Sequence, residues 1–237
     1  MRTLAIVPVK TFGDAKQRLA AALARGSRRS LAQAMFCDVL AALGRAGRVD
    51  RIAVVTHDTA AESLAHGRAI VLRDESPAGQ SAAAAIGIRH ALASEFDRVL
   101  LVPGDTPLLD PEEVDRLLDR TERDGIAVGI VADRHGTGTN ALALAPPDAI
   151  EPAFGPGSLE RHVRSAEAAG AAHRLELAES LAHDVDTPAD LRAMLARIES
   201  VRGRGQRTRG ALHQLDRSGA LAALSSGGSR SGHPLEV

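Results

Sequence analysis

The chain has no tryptophan or tyrosine, four phenylalanines, one cysteine and two lysines among its 237 residues. Each shortage excludes something. With aromatics at 2%, the stacking platforms that hold single-stranded nucleic acid are missing. One cysteine, Cys37, permits no internal disulfide and builds no metal site alone, so it reads as a small buried hydrophobe on a helix. A formal net charge of −1 gives no global field toward nucleic acid or a membrane surface. The apolar runs are far shorter than a bilayer span, and the N-terminus lacks a basic segment followed by an apolar core. A cytoplasmic protein with no membrane or nucleic-acid partner is the expectation. What remains is 44% apolar and 25% charged, the composition of an ordinary globular chain. Its 29 basic residues are arginines except Lys10 and Lys16, which both fall in the stretch VPVKTFGDAKQRL, residues 7–19.

Short β-type runs alternate with longer helical ones. LAIVPV (4–9), RIAVVT (51–56), AIVL (69–72), RVLLV (98–102), IAVGIV (126–131) and ALALA (141–145) read as strands buried on both faces. Between them, Leu31, Met35, Val39 and Leu43 recur at helical spacing, and Ile86 and Leu92 sit among alanines in a second helix. Pro111 followed by two glutamates opens a third, with acidic residues where the helix dipole favours them. This alternation implies an α/β three-layer sandwich with a mostly parallel sheet and ligands at the carboxyl ends of its strands. One domain spans residues 1–200. Residues 201–237, with six arginines against two acidic residues, a weak helical patch around Ala220 and a Gly/Ser-rich end, read as a basic, solvated extension, disordered or at most partly ordered against the main domain.

The loop after the first strand stands where a dinucleotide-binding protein carries GxGxxG, yet it has only Gly13. Such a loop must hold phosphate by side-chain charge, and Lys10, Lys16 and Arg18 supply three cations within nine residues. That suits a triphosphate better than NAD; the competing reading is a solvated basic turn. In PGDTPLL (103–109), Asp105 follows a buried strand and is fixed between Pro103 and Pro107, as a rigid oxygen ligand would be. In HDVDTPADL (183–191), Asp184 and Asp186 share a side if the segment is extended, with Thr187 or Pro188 starting a helix. Asp105 and Asp186, with Asp184 the weaker candidate, are candidates to converge on Mg2+, a reading favoured for Asp186 over a simple helix-capping role. GTGTNALAL (136–144) and FGPGS (154–158) offer Thr139, Asn140, Gly155 and Ser158 either as an anion pocket at a helix N-terminus or as plain turns. The nine histidines show no metal-ligand spacing and read as surface or structural. No G-x-S-x-G elbow argues for covalent catalysis.

In this order, VPVKTFGDAKQRL, PGDTPLL, GTGTNALAL, FGPGS and DVDTPADL resemble the 2-phospho-L-lactate guanylyltransferase family over residues 1–200. The resemblance implies the nucleotide-diphospho-sugar transferase (Rossmann-like) fold and a role in biosynthesis of the deazaflavin coenzyme factor 420. It implies that GTP, as co-substrate, and a small phosphorylated acid are joined with release of pyrophosphate. The acid is 2-phospho-L-lactate in archaeal members, phosphoenolpyruvate in many bacterial ones and 3-phospho-D-glycerate in a few; phosphoenolpyruvate is favoured here. Thr139, Gly155 and Ser158 match acceptor-binding positions, and Asp105 and Asp186 match magnesium-binding ones. The fold alone places guanine over SPAGQS (76–81), near Gln80 and Ser81. A hand-off of product to the next biosynthetic enzyme and a homodimer stay open. So do two other readings, a molybdopterin- or sugar-phosphate nucleotidyltransferase and a noncatalytic nucleotide-binding protein, which nucleotide preference and metal-dependent turnover would separate.

Overall fold

The computed structural model describes residues 1–75 and 78–221. Its strands are β1 (Thr3–Val9), β2 (Arg51–Thr56), β3 (Ile70–Arg73), β4 (Arg98–Leu101), β5 (Val128–Ala132), β6 (Thr139–Leu144) and β7 (His173–Leu175). They form one sheet in the order β3-β2-β1-β4-β6-β5-β7. β1, β2, β3 and β4 pair in parallel, as do β5 and β7, while β6 is antiparallel to both β4 and β5. The reversal matters for the site. Because Leu101 faces Leu142 and Leu100 faces Ala143, the amino end of β6 lies at the same edge as the carboxyl end of β4. Thr139 and Asn140 are thus delivered beside the residues that follow β4.

Strand alternation builds the layers. Ala5, Val7, Val54 and Leu100 face α1 (Arg25–Leu43), α2 (Thr59–Ala65) and α4 (Pro111–Arg123), whereas Leu4, Ile6, Val55 and Leu101 face α3 (Gln80–Ala93) and α5 (Ser158–Ala168). Gly87 sets the approach of α3 to the sheet, since a Cβ there would stand 2.5 Å from Ile6. The three-layer sandwich expected from the sequence is present. β3 differs from its expected burial on both faces: it is an edge strand, and Val71 remains 38% exposed. The strand β7 and the short helix α2 had no clear sequence pattern; α2 forms where Asp58 accepts from the Ala60 and Ala61 amides as an N-cap.

The segment after residue 200 is ordered in part against the main domain, more extensively than the weak helical patch around Ala220 suggests. Residues 206–217 form a helix, α7 (Gln206–Arg217), and only residues 222–237 lie outside the described residues. Leu212 and Leu215 of α7 join Leu191, Met194 and Ile198 of α6 (Pro188–Ile198) against Leu31 and Met35 of α1. α1 is therefore covered on two sides, by the sheet and by α6 and α7. Burying each such leucine contributes about 1.5–3 kcal/mol, which a polar-looking stretch with only a few apolar residues does not advertise. Arg209 is likewise engaged, donating to the Ile198 and Val201 carbonyls and pairing with Glu199 at 3.0 Å.

The N-terminus of α7 has no cap of its own, because its N-cap is Gly205. Asp38 of α1 supplies one, accepting from the Arg207 and Thr208 amides at 3.1 and 2.8 Å while itself 7% exposed. Asp38→Ala is expected to cost about 1–2 kcal/mol by urea denaturation through loss of this cap. An unchanged midpoint would show that α7 does not depend on it.

Candidate active site

A cleft of about 590 Å³ opens at the edge defined above, lined by Lys10, Lys16, His57, Asp74, Gln80, Asp105, Thr139, Asn140, Asp184 and Asp186 among others. The loop after β1 is anchored from several sides. Phe12 is buried with its ring 5.7 Å from that of Phe36, its amide donates to Asp58 Oδ2, and the Thr11 hydroxyl meets His57 Nε2 at 2.8 Å. Leu19 and Leu23 sink into the cluster under α6 and α7. Between these anchors Lys16 takes a left-handed backbone, φ 57° and ψ 41°, unusual for a residue other than glycine and costing about 1–2 kcal/mol.

That conformation sends the Lys16 side chain, 5% exposed, between two carboxylates. Nζ donates to Asp105 Oδ2 and, at 2.9 Å, to Asp186 Oδ1. Burial works against the ammonium charge, but Asp105 and then Asp186 outweigh it and hold the pKa above the ordinary lysine value. Asp184 completes the group: one oxygen from each of Asp105, Asp184 and Asp186 lies within 4.8 Å of the others. Burial first, and then the charge of Asp105, push the Asp184 carboxyl up to about 6, against the Asn140 amide, which donates to it at 3.1 Å. One lysine and three aspartates leave a formal charge of −2. Asp186 does not cap α6; Thr187 does, in a capping box with Asp190, which leaves Asp186 free to face the cleft.

On the far side of Asn140, a network supports Thr139. The Thr139 amide donates to Ser158 Oγ at 2.8 Å, and the Thr139 hydroxyl lies 2.9 Å from His162 Nδ1. His162 Nε2 accepts from the Ala153 amide at 2.8 Å, so the ring proton resides on Nδ1 and is donated to Thr139 Oγ1. The Thr139 hydroxyl accepts within the protein and keeps its own proton for an anion in the cleft, while Ser158 holds the Thr139 amide from behind. Burial, and then Arg161, lower the His162 pKa to about 4, so the ring is neutral at pH 7.

Of the residues singled out from sequence, Lys10, Lys16, Gln80, Asp105, Thr139 and Asp186 line the cleft, as does Asp184. Arg18 does not: it is exposed on a 3-10 turn that buries its neighbour Leu19. Ser81 is turned to structural use, its hydroxyl accepting from the Phe154 amide. Gly155, at φ 115°, and Ser158 stand behind Thr139 rather than on the cleft wall. The expected guanine loop falls in part on residues 76 and 77, outside the described residues. Two contributors were missed. His162 follows Ser158 by four positions, the spacing that shares a helix face, and Asp74 ends a strand as Asp105 nearly does.

The fold is that of nucleotide-diphospho-sugar transferases. A solved structure from Desulfovibrio desulfuricans G20, described as such a transferase, superposes with a TM-score of 0.74 at 17% identity, covering 95% of this chain and 98% of that one. A CMP:2-keto-3-deoxy-manno-octonic acid synthetase complexed with CTP superposes with a TM-score of 0.57 at 13% identity, covering 84% and 99%. Within that fold the chain belongs to the family described as guanylyl transferase CofC like, which it matches over residues 3–225. The match runs into α7, beyond the residue-200 limit expected from sequence. It is 49% identical to a phosphoenolpyruvate guanylyltransferase of Conexibacter woesei, over 92% of this chain and 98% of the relative. It is 33% identical to a 2-phospho-L-lactate guanylyltransferase of Methanothermobacter thermautotrophicus, over 86% and 89%. A 3-phospho-D-glycerate guanylyltransferase of Phenylobacterium zucineum is 36% identical, over 89% and 95%.

The unfolded imidazole takes its proton near pH 6.5 and folded His162 only near 4, so its contribution to stability is complete above 6.5 and is lost as pH falls toward 4. A glutamine amide in its place would keep an acceptor for the Ala153 amide and a donor to Thr139 without titrating. His162→Gln should therefore lose less stability than the parent between pH 7 and pH 4.5 in urea titrations; equal losses would remove His162 as the cause.

Proposed function

We propose that the protein is a guanylyltransferase that joins the GMP moiety of GTP to phosphoenolpyruvate, in biosynthesis of the deazaflavin coenzyme factor 420. The observation that carries this reading is the convergence of Lys16, Asp105, Asp184 and Asp186 in the cleft of a chain 49% identical to a phosphoenolpyruvate guanylyltransferase. A phosphate oxygen of the acid attacks the α-phosphorus of GTP, the bond to the β-phosphate oxygen breaks, and pyrophosphate departs. The acceptor is already an anionic nucleophile, so no general base is required. The protein has instead to hold two anions together and to stabilise the charge that moves to the leaving group.

Each element of the site suits a part of that task. Lys10, exposed at the rim, and Lys16, locked at the floor, face the polyphosphate. Arg18, outside the cleft, is left without a catalytic part. The acid is held by the Thr139 hydroxyl, with Ser158 and Gly155 shaping the loop behind it. Three carboxylates with close oxygens and a formal deficit of two charges fit a hard divalent cation such as Mg2+, with Asp105, Asp184 and Asp186 as its oxygen ligands. Such an ion supplies charge neutralisation at the α-phosphate. No membrane-spanning helix occurs among the described residues, and a cytoplasmic location accords with the substrates.

Pyrophosphate release from GTP and Mg2+, with phosphoenolpyruvate, 2-phospho-L-lactate or 3-phospho-D-glycerate supplied singly and products weighed by mass spectrometry, tests the assignment. Turnover should be greatest with phosphoenolpyruvate and should vanish on chelation with EDTA. Preference for another acid would correct the acceptor, and silence with all three in folded protein would defeat the reading. Lys16→Met should lower turnover by about 100-fold or more. It should also leave a variant whose deficit in Tm narrows from pH 8 to pH 5, because Asp184, whose carboxyl burial and then Asp105 already push up, relieves the repulsion by taking up a proton.

A further inference from the structure

Asp74 follows β3 directly and lines the cleft, three strands away from Asp105. It is 6% exposed, and among the described residues its carboxylate meets no hydrogen-bond or ion-pair partner. Other carboxylates as deeply placed are all engaged: Asp38 by two amides of α7, Asp190 by Thr187 and Arg134, Glu176 by Arg120 and Arg174. Among the described residues, this carboxylate has only the cleft to face, where a ligand with donors would meet it. Beside it begins α3, whose N-cap is Gly79 at φ 109°, with no side chain capping its first amides and open space where a Cβ would stand. An acceptor-only group thus neighbours a row of uncapped donors.

That pairing selects among nucleobases. A carboxylate offers two acceptor oxygens and, when ionised, no donor. Among the four common bases, guanine alone presents two adjacent donors, N1–H and the 2-amino group, with the O6 acceptor beside them. Adenine and cytosine set an acceptor next to their amino group, and uracil flanks its single N–H with two carbonyls. Three strand spacings, about 14 Å, separate β3 from β4, with Lys10 and Lys16 following β1 between them. A nucleotide laid across the strand ends has its base at Asp74 and its phosphates at the lysines and the aspartate cluster.

On the guanylyltransferase reading above, we propose that Asp74 reads the base of the nucleotide, its carboxylate accepting from guanine N1–H and the 2-amino group while the N-terminus of α3 faces O6. Asparagine at this position keeps an acceptor for N1–H but turns a donor toward C2, which suits the C2 carbonyl of xanthine. The test is calorimetric binding of GTP, ITP, XTP, ATP and CTP, each with Mg2+, to the wild-type protein and to Asp74→Asn, with no acid present. The wild-type protein should bind GTP best and ITP, which lacks the 2-amino group, about tenfold more weakly. Asp74→Asn should lose about 100-fold for GTP and gain for XTP, a gain that an unfolded variant could not produce. Equal wild-type binding of GTP and ITP, or a folded Asp74→Asn that still favours GTP over XTP, overturns the role of Asp74 and leaves the reaction standing. Wild-type binding that does not favour GTP over ATP and CTP overturns both.

Discussion

Three carboxylates offer oxygens within 4.8 Å of one another, and one buried ammonium reaches two of them, so like charges that repel are held close around a single cation. The architecture around them has to hold this arrangement against its own electrostatics. It does so by drawing the groups from rigid places: Lys16 from a loop pinned by Phe12, Asp58 and Leu19, Asp105 from the end of a central strand, and Asp184 and Asp186 from the run into a doubly capped helix. Two costs are stored here: the raised pKa of Asp184, set first by burial and then by Asp105, and the left-handed backbone of Lys16. Strain of this kind, kept where a cation and a polyphosphate would relieve it, is what a preorganised charge-transfer site requires.

The two flanks of the cleft solve opposite problems. Toward β6, the Thr139 hydroxyl accepts from His162, which leaves its proton to meet an anion. Toward β3, the Asp74 carboxylate, without a partner among the described residues, lines the cleft as an acceptor. A site that presents protons at one end and lone pairs at the other orients a molecule that carries phosphate and base at its two ends.

Much of this was legible in the sequence. The six expected strands and the loop residues after them were found because continuous apolar runs mark buried strands, and because Lys10 directly follows one such run while Lys16 and Asp105 lie in the loops after two of them. The reversal of β6 left no trace in ALALA, since burial on both faces looks alike in either direction. β7 is three residues long and only part-buried, too short for any period. α7 was missed because its apolar face is only a few residues wide and its cap comes from Asp38, far away in the chain. Arg18 was overvalued because counting cations does not reveal which of them a turn directs outward.

The covering of α1 by α7 reaches further than packing. Leu19 and Leu23, which end the lysine loop, share one cluster with Leu212 and Leu215, so the last described helix braces the floor on which Lys16 rests. Shortening the chain at residue 200, as its composition invites, would strip an apolar face of α1 and loosen the loop at the opposite end of the polypeptide. The lysine loop up to Leu23 and the last described helix form one mechanical unit, and a cut within either would disturb the other.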